Sequence, residues 1–193
     1  MAKLSSARED LLHAAAELFR ARGYEGVGVA ELLEASGAPR GSLYFHFPGG
    51  KEQSGVEVVE AVGAAVTGQF KALAERDITL DAFVDHVFRH TAKMVKEREF
   101  NASCPIAAIA AECGAQAPAL RAAVTKQFDA WQDEVARAAG LRGFSEKAAT
   151  EFGSALITAM EGAFLVSKAQ RSVAPHQNAA KAVKALAAQL AAN

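Results

Sequence analysis

Two short helical segments around a hard break constrain this chain more than any other feature. Residues 29–36 carry Leu32 and Leu33 in a brief helical stretch, Gly37-Ala38 interrupts it, and Pro39 opens a second short helix to about His46. Glycine permits a sharp reversal because it lacks a Cβ, and proline at a first helical position forfeits an N–H that would be unpaired anyway. That is the grammar of a helix-turn-helix. Upstream, Ser6-Ala7-Arg8-Glu9 reads as a capping box, with Ser6 accepting from a backbone N–H and Glu9 reaching back. Leu11, Leu12, Ala15, Leu18 and Phe19 then mark one helical face, which Gly23 ends.

After Phe47-Pro48-Gly49-Gly50, the pattern predicts helices over 51–76, 80–99, 105–113, 118–139, 145–170 and 176–190, with Gly or Pro at the joints. That makes about nine. The apolar residues are mostly Ala and few are aromatic, which favours close-packed helices over sheets, so the fold class is all-α. At 193 residues a small head and a larger body can each bury a core.

Charge alone offers no partner. The net charge is −1, and residues 1–51 balance six basic against six acidic side chains, so any nucleic-acid case rests on where the charges point. No stretch approaches the ~20 apolar residues of a membrane span and no signal-peptide pattern opens the chain, so a cytoplasmic protein with no membrane partner is expected. Cys104 and Cys113 on one helix would stand roughly 13 Å apart, too far for a disulfide. No Gly-x-Ser-x-Gly elbow, phosphate-binding loop or spaced carboxylate pair is present, so no enzyme and no cofactor are expected.

Leu18-Phe19-Arg20-Ala21-Arg22-Gly23-Tyr24 resembles the end of the first helix in the TetR family of bacterial repressors, and Gly41-Ser42-Leu43-Tyr44-Phe45-His46-Phe47 resembles its recognition helix. Phe47-Pro48-Gly49-Gly50-Lys51-Glu52-Gln53 and Cys104-Pro105-Ile106-Ala107 are similar, more narrowly, to its LmrA/YxaF-type branch. The resemblance spans nearly the whole chain and is tightest over 6–53. It implies a DNA-binding domain at 1–50 and a ligand-binding and dimerisation domain at 51–193. The implied function is a repressor that holds double-stranded operator DNA as a homodimer until a small-molecule inducer releases it. One departure is Gly28, where the family usually has a Ser or Thr cap.

A recognition helix sets its first residues in the major groove, so Arg40 and Ser42, flanking Gly41, stand where bases or phosphates are read. The resemblance implies that Tyr44 and His46 touch the sugar-phosphate backbone or a thymine methyl, while Leu43 and Phe47 lock the helix onto the first. Lys51 opens the long helix, where unpaired N–H groups already favour a phosphate. Lys3 and Arg8 are placed to reach the neighbouring backbone or minor groove.

In the body, Phe70, Phe83, His86, Val87, His90, Phe100, Cys104, Ile109, Phe128 and Trp131 are candidates to line an apolar ligand cavity, with ordinary core as the alternative. Gly55, Gly63 and Gly68 weaken the long helix, which points to movement or close packing. Phe152, Leu156, Met160 and Phe164, with Val183 and Leu186 of the last helix, are candidates for a two-fold dimer bundle, helped by Gly153 and Gly162. The rival is a metal or redox sensor. His86 and His90 are four residues apart, with Cys104, Glu112 or Cys113 as further ligands, and the two thiols are candidates for oxidation.

Overall fold

In the computed structural model, residues 2–101, 103–113 and 117–192 are described, apart from the side chains of residues 2–6. Among them there are only helices: α1 Ala2–Arg22, α2 Val29–Ser36, α3 Ser42–His46, α4 Gly50–Ala74, α5 Leu80–Glu97, α6 Pro105–Glu112, α7 Pro118–Gly140, α8 Glu146–Gln170 and α9 Ala174–Ala191. The all-α class and the order of helices are as expected.

Two starts are corrected. The α1 backbone is helical from Ala2, so Ser6 lies inside the helix and not at its cap; Ala2, Lys3 and Leu4 are helix formers with no breaker among them. Pro39 does not open α3. Gly41, at φ +92, cannot continue a helix backwards, and the Ser42 N–H donates to the Pro39 carbonyl at 3.0 Å, so α3 begins only at Ser42. Gly37, at φ +66, closes α2 in the same left-handed conformation. These two positions make the turn tight, and a Cβ would strain both.

The chain divides into two compact units, Met1–Ala64 with Cys104–Gln127, and Ala65–Ser103 with Phe128–Asn193. The first is larger than a head ending at residue 50, since it takes in much of α4, all of α6 and the start of α7. Its core joins Leu11, Phe19, Leu32, Leu43, Phe47, Val58, Val59, Ile106, Ile109 and Leu120. A Cβ on Gly55 would lie 3.0 Å from the Tyr24 ring and 3.2 Å from Leu120 Cδ1, and one on Gly63 would collide with the Gln127 side chain. Two of the three glycines of α4 therefore serve close approach. Gly68 meets nothing within 4 Å.

In the second unit α5, α8 and α9 pack on one another. Phe152, Leu156, Met160 and Phe164 recur every four residues and are all buried, as is Val183, while Leu186 is half-buried. The sequence-based placing of the buried five at a dimer interface is corrected: those faces of α8 and, for Val183, of α9 are spent on the chain's own core. Gly153 is likewise internal, because a Cβ there would sit 2.5 Å from the Gln132 carbonyl of α7, whereas Gly162 faces open space. At one corner Arg142 donates to the carbonyls of Ile78 (2.8 Å) and Arg76 (3.1 Å) in the turn after α4 and of Ala138 (2.7 Å) near the end of α7, tying that turn to α7. Among the described residues no helix is long and apolar enough to cross a membrane.

Candidate nucleic-acid interface

A five-residue helix cannot hold itself together in water, so α3 depends on its neighbours. Leu43 and Phe47 are buried, and α3 packs against α1 and α2. With those two side chains turned inward, the others point out. Arg40 and Gly41 are exposed, Ser42 and His46 are half-buried, Tyr44 is 60% exposed and Phe45 is 70% exposed. The Tyr44 ring lies against Gly50, where a Cβ would come 3.2 Å from its Cε1. The His46 ring stands between Phe45 (5.0 Å, edge-on) and Phe47 (6.4 Å).

Polar clasps hold the surroundings of α3. Arg8 forms an ion pair with Glu57 of α4, and its guanidinium lies 5.4 Å from the Phe47 ring centre. Glu57 also accepts from Gln53 Nε2 at 3.1 Å, and Gln53 Oε1 accepts from the Gly49 N–H at 2.9 Å. Arg8, expected to reach DNA, is thus built into the link between α1, α4 and the turn after α3. Lys51 is half-buried in the first turn of α4; its Nζ sits 4.2 Å over the Tyr24 ring and 3.9 Å from the Glu25 carboxylate. Burial pushes the Tyr24 hydroxyl up to about 12, with Glu25 and Glu52 adding to the shift. The ring therefore stays neutral beneath the lysine.

Gly28 lacks a capping side chain, and α2 compensates from the other half of a capping box. The Gly28 N–H donates to Glu31 at 3.0 Å, Arg22 pairs with Glu31, and Arg22 also donates to the Gly26 carbonyl at 2.9 Å. That backbone N–H first, and the Arg22 guanidinium second, hold the Glu31 carboxyl below its ordinary range. The turn after α1 has a long-range clasp as well: the Glu25 N–H donates to Glu112 of α6 at 2.6 Å, and the carboxylate fills the space where Gly23 has no Cβ.

The remaining candidates separate. Lys3 falls among the side chains outside the described set. Phe70, Phe83, Val87 and Trp131 are buried in the second unit and Phe100 and Phe128 are half-buried there, with Phe70 stacked on Phe83 at 6.5 Å and Phe128 edge-on to Trp131 at 5.6 Å. Cys104 and Ile109 are buried in the first unit. His86 and His90 are exposed, which corrects their placing in an apolar lining. The buried stripe of α5 runs through Phe83, Val84, Val87, Phe88, Thr91 and Val95, and residues 86 and 90 fall on the other side. Partial desolvation, then its neighbours Arg76, His90 and Arg89, lower the basicity of His86. Among the described residues no group of three or more His, Cys, Asp or Glu side chains is arranged to hold a metal ion. No disulfide joins Cys104 to Cys113.

Sequence reasoning missed Glu57 and Phe45, and it named Glu112 only as a possible metal ligand and not as a clasp. Glu57 and Glu112 act over 49 and 87 positions of chain, which no local pattern reveals. Phe45 stands inside the stretch that resembles a recognition helix, and its signal was an apolar residue at an outward position of so short a helix.

Residues 11–53 match the family described as bacterial regulatory proteins, tetR family, and residues 81–182 match the C-terminal domain of LmrA/YxaF-like transcriptional regulators. The chain is 29% identical to the uncharacterized HTH-type transcriptional regulator YxaF of Bacillus subtilis, over 91% of this chain and 92% of that one. It is 31% identical to the HTH-type transcriptional regulator LmrA of the same organism, over 87% and 89%. The crystal structure of the regulatory protein TetR from Rhodobacter sphaeroides has the same fold, with a TM-score of 0.81 and 25% identity over 92% of this chain and 96% of that one.

Proposed function

The chain belongs to the TetR family of bacterial transcriptional regulators, in its LmrA/YxaF-like branch, and from that premise we propose a ligand-released repressor that grips a near-palindromic operator as a homodimer. One observation carries the reading: α3 and the residues flanking it turn Leu43 and Phe47 inward as anchors and leave Arg40 and Tyr44 exposed with Ser42 half-buried between them. Arg40 reads a base edge, since guanidinium can donate twice to a guanine, and Ser42 bonds a base or phosphate. The Tyr44 hydroxyl and Lys51, held by Tyr24 and Glu25, take the phosphates on either side. Arg8 braces this surface through Glu57.

Two copies associate through the outer faces of α8 and α9. Gly162, Leu165 and Val166 on α8 and Ala182 and Ala185 on α9 are exposed, and such small and apolar side chains suit a two-fold helical bundle. The inducer is a small apolar or aromatic molecule received among Phe70, Phe83, Phe128 and Trp131. It favours the conformation with the wrong spacing of heads and so lowers operator affinity.

A gel shift on DNA upstream of the protein's own gene tests this, repeated at rising salt and with apolar candidate ligands. A sequence-specific shift that weakens with salt is expected. Binding that ignores sequence would sink the operator reading, and ligands that saturate the protein without changing its affinity would sink the release mechanism.

A further inference from the structure

Phe45 is 70% exposed, and α3 has already filled its inner face with Leu43 and Phe47, so the ring contributes nothing to the core. Its N–H donates to the Gly41 carbonyl at 3.1 Å, which sets Phe45 one helical turn along from Gly41, and it stands three residues beyond Ser42 on the neighbouring turn of the helix, while Arg40 is exposed in the turn before α3. The edge-on His46 ring at 5.0 Å braces it in that position. Tyr44, by contrast, is packed along Gly50 and carries a hydroxyl that can meet a phosphate.

A phenyl ring has no donor or acceptor. It cannot bond a phosphate oxygen or the polar atoms of a base edge. The apolar feature that a major groove offers is the C5-methyl group of thymine. Resting on the operator-binding reading above, we propose that Phe45 is a specificity-determining residue that reads a thymine 5-methyl group, at one position of each half-site, beside the bases read by Arg40 and Ser42.

The test starts from the full-length protein and a pool of duplexes with a randomised central stretch, from which the protein enriches its own site. Each thymine of the enriched duplex is then replaced singly by uracil, which deletes the methyl and keeps every hydrogen-bonding atom. The expected result is one position per half-site where uracil weakens wild-type binding about fourfold, the factor equivalent to ~0.8 kcal/mol for one buried methyl-sized group. Phe45→Ala should bind the two duplexes equally, and Phe45→Leu should keep part of the difference. Both variants should melt like the wild type, because the ring is outside the core.

If every uracil duplex affects wild type and Phe45→Ala alike, or if Phe45→Ala weakens all duplexes evenly, the ring packs on the sugar-phosphate backbone and the proposal is overturned while operator binding stands. An enriched site without thymine overturns it too. If the wild type enriches no sequence at all, the operator reading itself fails and this assignment falls with it.

Discussion

α3 and α8 differ in what keeps a helix in place. α8 runs for 25 residues and buries ten of them, including Phe152, Leu156, Met160 and Phe164. At ~1.5–3 kcal/mol for each large apolar side chain, that face holds its position against most perturbations. α3 has five residues, of which Leu43 is buried within the helix and Phe47 just after it. It is held as a guest of α1 and α2. The outer side chains of α3 can therefore change what the protein reads without changing how it folds, whereas the inner face of α8 admits few changes and its outer face is open to a partner.

The largest expected effect lies inside α8. Phe152→Ala should cost ~3–5 kcal/mol of stability in thermal or denaturant unfolding. A loss below ~1 kcal/mol would break the contrast, because the face would then not be holding the second unit together. On the opposite side of the same helix, Leu165→Asp should weaken self-association by ~2 kcal/mol or more in sedimentation equilibrium, since it buries a charge at the centre of the proposed bundle. Unchanged association would move the dimer contact elsewhere.

Arg40→Ala should lower operator affinity by ~1–3 kcal/mol and relax the preference at one base pair, with an unaltered melting curve. A shifted melting temperature would mean that α3 is not the independent surface described above. The last test concerns His176, wholly buried at the start of α9, with Nδ1 2.8 Å from Ser167 Oγ and its ring edge-on to Phe164. Burial lowers it from 6.5 to about 4, so the folded chain keeps it neutral while the unfolded chain takes up a proton. Its contribution is complete above pH 6.5 and drains as pH falls towards 4, at roughly 1 kcal/mol per pH unit where steepest. His176→Asn should flatten the melting-temperature profile over that window relative to wild type, and two parallel profiles would refute the assignment.

Helix order was legible because glycines, prolines and caps punctuate this chain clearly: Gly37, Gly23, Pro105 and Ser145 all mark real ends. Ser6 misled because a good cap followed by helix formers is silent about helix formers before it. Pro39 misled because proline fits a turn as well as a first helical position, and Gly41 decided between them. Outward positions on α3 could be read once Leu43 and Phe47 were taken as anchors. The face of α8 that meets a partner could not. A helix apolar on both sides gives no sign of which side its own chain will claim, and Phe152 and Leu156 are wholly buried within the chain's own second unit, Phe152 against Phe144. Residues tied over long stretches of chain, such as Glu57 with Arg8, leave no trace in local pattern.

The Glu25–Glu112 clasp has a consequence for synthesis. The N-terminal unit draws on Met1–Ala64 and then on Cys104–Gln127, so the ribosome must add 87 more residues after Glu25 before its clasping carboxylate exists. At about 5–20 residues per second that interval is roughly 4–17 seconds. During it the nascent helices stand without Ile106, Ile109 and Leu120 of their core, and the reading surface is finished only after most of the chain has been translated.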